Sequence, residues 1–125
     1  MILPLLVAAA LAPTSIGESV FESHVDKAAG SCATDEGHDF FTIYGGDGTY
    51  TNYDLAGGPS DSGTYTYSQL GPSEGKISYQ VVQGDVWSGG DIIELLHFDT
   101  ETQGSIKGEQ GQADCRYEGT FTIKE

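Results

Sequence analysis

The chain has 125 residues, and its 19 aspartates and glutamates outnumber 5 lysines and arginines, which gives a formal net charge of −14. This length is typical of a single domain. The charge argues against nucleic-acid binding, because cationic side chains must displace the counterions of the phosphate backbone. It also argues against docking on anionic membrane surfaces. Such a charge favours solubility, including in salty surroundings that screen its self-repulsion, and the alternative is that it attracts cations, either metal ions or a basic partner.

The N-terminal run MILPLLVAAALA carries no charged side chain. It is too short for a transmembrane helix, which needs about 20 apolar residues. An apolar run that ends in small residues is typical of a secretory signal, with cleavage after Ala12 or Gly17. We therefore predict a signal peptide over residues 1–17, a single β domain over residues 18–125, and a secreted location, extracellular or periplasmic. The alternative is an N-terminal segment that is buried or lies on a membrane surface. The mature chain is predicted not to insert stably into a membrane.

The sequence contains two cysteines, Cys32 and Cys115. Two cysteines in an exported domain usually pair, so we predict a disulfide that ties the two ends of the domain together. Their separation matches neither a Cys-x-x-Cys redox motif nor a zinc-binding pattern. We predict no cofactor.

A short helix is predicted at about residues 17–29. Ser15 and Glu18 match a capping box, in which a hydroxyl and a carboxylate satisfy the first backbone N–H groups of a helix. The apolar residues that follow recur at helical spacing, and Gly30 stands where a helix would end.

From residue 38 onward, short runs of strand-forming residues alternate with clusters of Gly, Pro, Asp and Ser. Seven strands are predicted, at about 38–44, 48–54, 62–68, 75–82, 92–98, 103–110 and 115–124. The segments between them are too short for parallel crossovers, so the sheet is antiparallel. We predict an all-β fold, a small up-and-down β-barrel or rolled sheet of about seven strands, with a two-sheet β-sandwich as the alternative.

Two of these runs have distinct burial patterns. Residues 115–124 alternate between an apolar face, which includes Tyr117 and Phe121, and a polar face. Residues 92–98 are apolar on nearly both faces, and we predict that this strand is the most buried of the sheet.

Residues 63–104 contain a series of strand and turn motifs: Gly63-Thr-Tyr-Thr-Tyr67, Gly71-Pro72, Gly75-Lys-Ile-Ser-Tyr79, Leu96-His-Phe98 and Gly104. The series resembles the Gly-Thr-Tyr-rich β-repeat of secreted and surface proteins of bacteria. The resemblance implies an extracellular β module, and it supplies no catalytic residues.

Aromatic residues are the candidate ligand contacts. Tyr65, Tyr67 and Tyr79 can stack on a sugar or a small apolar molecule and hydrogen-bond through their hydroxyls. Trp87 lies in a Gly-rich loop, where a large aromatic side chain either caps the barrel or meets a partner. The alternative for the tyrosines is simple core filling. Our leading hypothesis is a secreted, non-enzymatic β module that binds a small molecule, a glycan or a surface partner.

Two further functions are weighed against it. A small barrel enzyme, an isomerase, cyclase or hydrolase, would use His97 with Glu94 or Glu109 in its interior, since a buried carboxyl is suited to acid–base work. Within its strand, however, Glu94 falls on the face opposite His97. A calcium-stabilised adhesion domain would use turn carboxylates, for which the candidates are Asp47, Asp85, Asp91 and Asp99. Asp and Gly also form turns without any metal.

Overall fold

The structure is a computed structural model, and it describes residues 10–57, 61–83, 91–110 and 114–124, with the exception of the Gln83 side chain. Within these ranges it contains eight β-strands and a single 3-10 turn at Ala33–Asp35. The strands are β1 Ser19–Gly30, β2 Asp39–Tyr44, β3 Thr49–Asp54, β4 Asp61–Gly71, β5 Glu74–Gln83, β6 Asp91–Phe98, β7 Gln103–Gln110 and β8 Cys115–Lys124.

The strands form one closed antiparallel barrel in the order of the sequence. Each strand pairs with the next, and β1 closes the barrel by pairing with β8, for example Phe21 with Ile123 and Gly30 with Cys115. A barrel of this kind leaves no free sheet edge. The closed order rules out the two-sheet sandwich and confirms the up-and-down barrel.

The seven strands predicted from residue 38 onward are all present, as β2 to β8. The predicted helix at residues 17–29 is wrong, because this segment forms β1, the eighth strand. The inward face of β1 carries Phe21, Ser23 and Val25, and because Ser23 is polar the two buried apolar residues stand four positions apart, which is also helical spacing. Pairing with both β2 and β8 decides the conformation.

The barrel has two unlike ends. At the aromatic end, where β1 begins and β8 ends, rings fill the interior: Phe121 lies 5.3 Å from Phe21 and 5.0 Å from Phe98 between ring centroids. The segment that precedes β1 covers this end, and its residues Ala12 and Ile16 are each 3% exposed. At the cavity end, where β1 ends and β8 begins, the interior is hollow.

A disulfide joins Cys32 and Cys115, with their Cα atoms 5.2 Å apart. This confirms the predicted pair. The additional strand lies before Cys32, so Cys32 follows the end of β1 and faces the start of β8 directly.

Strand β6 is less buried than its composition predicts. Its inward residues Ile92, Leu96 and Phe98 are buried, but its outward residues Ile93 and Leu95 are 37% and 48% exposed. The prediction of a strand buried on both faces is therefore wrong, because the barrel wall is a single layer and no second sheet covers it. Within the described ranges, no helix is long and apolar enough to cross a bilayer.

Candidate functional site

A cavity of about 180 Å³ occupies the barrel interior between its middle and the cavity end. Its walls combine apolar and aromatic side chains with carboxyls, hydroxyls and an amide. The apolar and aromatic lining includes Val25, Phe40, Tyr50, Tyr79, Ile92 and Ile106. Pockets of this mixed composition are typical of small-molecule sites.

Glu94 points into this cavity from β6, where alternation places it on the same inward face as Ile92 and Leu96. The Tyr79 hydroxyl donates a hydrogen bond of 2.8 Å to one carboxyl oxygen of Glu94, and the Tyr117 hydroxyl donates to the other. A hydrogen bond between the hydroxyls of Tyr44 and Tyr79 extends the network toward the aromatic end. Three strands besides β6 therefore hold this carboxyl in place.

The environment of Glu94 makes its charged form less favourable than that of a carboxyl in water. Burial raises the pKa of its carboxyl, the hydrogen bonds from Tyr117 and Tyr79 lower it, and the negative charge of Asp61 raises it again. Burial and the Glu94 charge likewise raise the pKa of both tyrosine hydroxyls, which stay protonated donors.

Asp61, the first residue of β4, is a second inward carboxyl. It accepts hydrogen bonds from the Tyr50 hydroxyl and the Asn52 amide, each at 2.9 Å. The hydroxyl of Thr42 in turn donates to the Asn52 carbonyl oxygen at 2.7 Å, which fixes the orientation of the amide. Burial raises the pKa of Asp61, and its two hydrogen-bond donors lower it.

The mouth of the cavity carries a cluster of Asp35, His38 and Asp54. Their ligand atoms all lie within 4.8 Å of one another, and Nδ1 of His38 is 2.9 Å from a carboxylate oxygen of Asp54. Burial and the neighbouring Asp54 raise the pKa of Asp35, while His38 lowers it. Two carboxylates and an imidazole are a ligand set that divalent cations accept.

No lysine or arginine lines the cavity within the described residues, and the basic side chain in its wall is His24, whose Nδ1 lies 2.7 Å from a carboxylate oxygen of Asp39. All five lysines and arginines fall within the described ranges, and each lies outside the lining. Two of them have acidic neighbours on the outer surface: the Lys124 amine is 3.3 Å from the Glu22 carboxylate, and the Arg116 guanidinium is 4.0 Å from that of Asp114. The carboxyls of the interior therefore have only neutral hydrogen-bond donors as partners.

Of the residues proposed as ligand contacts, the structure places only Tyr79 in the cavity wall. Tyr65 and Tyr67 point inward at the aromatic end, where their hydroxyls donate to the backbone oxygens of Gly45 at 2.7 Å and Pro13 at 2.8 Å. They pack against the core and are not among the residues that line the cavity. Trp87 lies outside the described residues.

The proposed catalytic residues do not come together. Glu94 is in the interior, whereas His97 and Glu109 are exposed on the outer surface. His97 is 2.9 Å from Glu74 there, and no contact joins it to Glu94. Strand alternation separates them, because His97 is an odd number of residues from Glu94.

The proposed calcium ligands are also separated. Asp47 and Asp99 are in turns at the aromatic end, and Asp91 begins β6 at the cavity end. Asp85 lies outside the described residues. Within the part of the chain that the structure describes, the cluster with metal-ligand spacing is instead Asp35, His38 and Asp54.

Sequence reasoning missed Tyr50, Tyr117 and Asp61 as members of the site. For Tyr117, the apolar face of the last strand was a usable signal. For Asp61 there was none, since its partner Asn52 is identified only by the register of β3 with β4. Comparison of the chain with protein-family models, curated proteins and solved structures finds no match. The resemblance of residues 63–104 to secreted β-repeats therefore stays a prediction.

Proposed function

We propose that the protein binds a small molecule inside its barrel. The observation that carries this proposal is the contrast between the two ends: the aromatic end is filled by side chains, whereas the cavity end encloses about 180 Å³. Protein interiors are normally close-packed, with few voids larger than a water molecule. An apolar cavity of about 150 Å³ accommodates benzene. The ligand is accordingly the size of one ring with a small substituent.

The lining supports a ligand with both apolar and polar parts. Phe40, Ile92 and Ile106 supply apolar contact, and Tyr50 and Tyr79 supply ring faces. Asn52 and the two inward carboxyls supply hydrogen bonds of fixed direction. A glycan on the outer surface is less well supported, because Tyr65 and Tyr67 are occupied by backbone contacts.

A second candidate function is proton-transfer catalysis, such as isomerisation or cyclisation. It is favoured by one observation, a carboxyl with a raised pKa that stands in a cavity between two phenol hydroxyls. A general acid–base works best when its pKa lies near the working pH. If the protein is such an enzyme, the Glu94 carboxyl is the general acid–base, and the hydroxyls of Tyr79 and Tyr117 orient it. His97 and Glu109 take no part.

Export remains part of the proposal. A disulfide between Cys32 and Cys115 is compatible with an oxidising compartment. Cleavage after Ala12 would remove Ala12 from the core but keep Ile16 against the aromatic end. Cleavage after Gly17 would remove both Ala12 and Ile16. We therefore favour the earlier cleavage site.

The test is calorimetric titration of the protein with a panel of single-ring molecules, together with the shift in melting temperature that a ligand of the native state produces. Ile106→Phe fills the cavity, and we expect it to weaken binding by about ten-fold or more while the barrel stays folded. Leu95→Phe adds a ring on the outer face of the neighbouring strand and serves as the matched control.

Two results would contradict the proposal: no member of the panel binds, or a folded Ile106→Phe variant binds as tightly as the unmodified protein. Emission of Trp87, the single tryptophan, gives an additional readout. It tests whether the segment between β5 and β6 contacts the ligand, as we propose for Trp87.

A further inference from the structure

Apart from His24, whose Nδ1 is 2.7 Å from the Asp39 carboxylate, the titratable groups of the cavity walls are carboxyls and tyrosine hydroxyls. Glu94 and Asp61 face the interior, and Asp54 and Asp35 stand at its mouth. None of the five lysines and arginines faces them, as described above. Carboxyls in such surroundings are usually paired with a cation or kept neutral, because an unpaired buried charge is costly.

Resting on the proposed function, we propose that the ligand is an organic amine bound as its ammonium ion, with the ammonium group between Glu94 and Asp61. The ligand thus supplies the cation that the protein itself does not place in its interior. A neutral ligand leaves these carboxyls without an ionic partner, and an anionic ligand is repelled by them.

The hydrogen-bonding capacity of the two carboxyls supports this assignment. An ionised carboxylate offers about four lone-pair sites. Glu94 accepts two hydrogen bonds from tyrosine hydroxyls, and Asp61 accepts one from a hydroxyl and one from an amide. Each group therefore keeps acceptor capacity, and an ammonium group has three N–H donors to fill it.

The aromatic walls add to this preference. Tyr50, Tyr79 and Tyr117 line the same cavity as the carboxyls. Aromatic ring faces attract cations, most strongly where water is excluded. The cavity volume limits the ligand to about one ring, so a single-ring primary amine is a suitable probe.

The mouth cluster does not replace this site. Asp35, His38 and Asp54 form a separate group, and His38 already pairs with Asp54. A divalent cation there would leave Glu94 without an ionic partner, because Glu94 is not a member of that cluster. The mouth carboxylates instead attract a cationic ligand from solution.

The experiment compares three molecules of nearly equal size: benzylamine, benzyl alcohol and benzoate. Affinities are measured by calorimetry at neutral pH in salt high enough to screen the outer charges. We expect benzylamine to bind about ten-fold or more tightly than benzyl alcohol, as charge-assisted hydrogen bonds are stronger than neutral ones, and benzoate not to bind.

Two independent variants test which carboxyls cause the preference for the amine over the alcohol. Glu94→Gln and Asp61→Asn keep the shape of each side chain, and each is expected to reduce the ratio of amine to alcohol affinity by about ten-fold. Alcohol affinity should change little. Glu109→Gln is the control, because it removes an outward-facing carboxylate and changes the net charge of the protein by the same amount.

The outcomes separate the two proposals. If benzyl alcohol binds as tightly as the amine, or if Glu109→Gln lowers the ratio as much as Glu94→Gln, the ammonium assignment fails and cavity binding stands. If none of the three molecules binds, both proposals fail. Circular dichroism checks that each variant is folded, and either of the two interior variants alone suffices to decide.

Discussion

Glu94 shows how one side chain acquires chemistry from its position on a strand. Its neighbours Ile92 and Leu96 define an apolar inward face, and Glu94 is placed on that face by the same alternation. The carboxyl is retained there because hydroxyls of Tyr79 and Tyr117 satisfy both of its oxygens. Desolvation still dominates, so its pKa is raised.

The raised pKa makes a prediction about stability and pH. The unfolded chain binds a proton at Glu94 with the ordinary pKa of 4.5, and the folded barrel binds it at higher pH. In the interval between the two values the folded state holds more protons, so stability falls as pH rises. Glu94→Gln should therefore be more stable than the unmodified protein at pH 8, by roughly 1 kcal/mol, the scale of burying an imperfectly paired polar group.

Urea unfolding at pH 4 and pH 8 measures this difference, and the advantage of Glu94→Gln should shrink at the lower pH. Glu109→Gln is the control, because Glu109 is exposed. An advantage that is equal at both pH values would show that Glu94 is not the group that titrates between them.

At the scale of elements, β7 and β8 show how small residues shape the site. Gly108 lies opposite Tyr117 in the register of these strands, and both face inward. A Cβ atom at Gly108 would lie 2.1 Å from Cζ of the Tyr117 ring, far closer than van der Waals contact. The absence of a side chain at Gly108 therefore lets the ring lie across β7 and reach Glu94.

Gly108→Ala should displace the Tyr117 ring and destabilise the barrel by roughly 1–3 kcal/mol, the usual range for overpacking. Gly46→Ala is the control, since the nearest atom to its Cβ position is 3.6 Å away. Denaturant unfolding of the single variants and of Gly108→Ala with Tyr117→Ala completes a double-mutant cycle. If the two effects simply add, the ring is not what Gly108 accommodates.

Sequence reasoning was more successful for strands than for the site. It identified β2 to β8 because runs of strand-forming residues alternate there with clusters of turn residues. It failed for β1, where the polar Ser23 lies between the buried residues Phe21 and Val25 and breaks the apolar alternation. It separated Glu94 from His97 by face, but it could not find Asp61, whose partners come from β3.

At the scale of the whole molecule, closure depends on the contact between the first and last strands. Strands β1 and β8 are far apart in the chain, yet they share the longest register of the barrel, from Val20 with Lys124 to Gly30 with Cys115. The disulfide fastens this seam at the cavity end, across a sequence separation of 83 residues. The disulfide therefore stabilises both the pairing of β1 with β8 and the part of the cavity wall that these strands form.

Replacing both cysteines, Cys32→Ser with Cys115→Ser, should lower the free energy of unfolding by about 4.5 kcal/mol, the chain-entropy value for a loop of this length. The urea midpoint should fall accordingly, with a slope that is typical of small domains. The unmodified protein under reducing conditions should match the variant, and the variant itself should not respond to reductant. An unchanged midpoint would show that strand pairing alone holds the seam.

The sequence by itself determined the strand content, the antiparallel class, the disulfide pair and the face on which Glu94 lies. These follow from local periodicity, turn chemistry and composition, which act over a few residues. Only the tertiary structure decided that β1 completes the barrel, that the aromatic end is filled and the cavity end hollow, and that Asp61, Tyr50 and Tyr117 join Glu94. Those features depend on register and closure between distant strands, where pairing energies of the whole barrel override the local preference of any one segment.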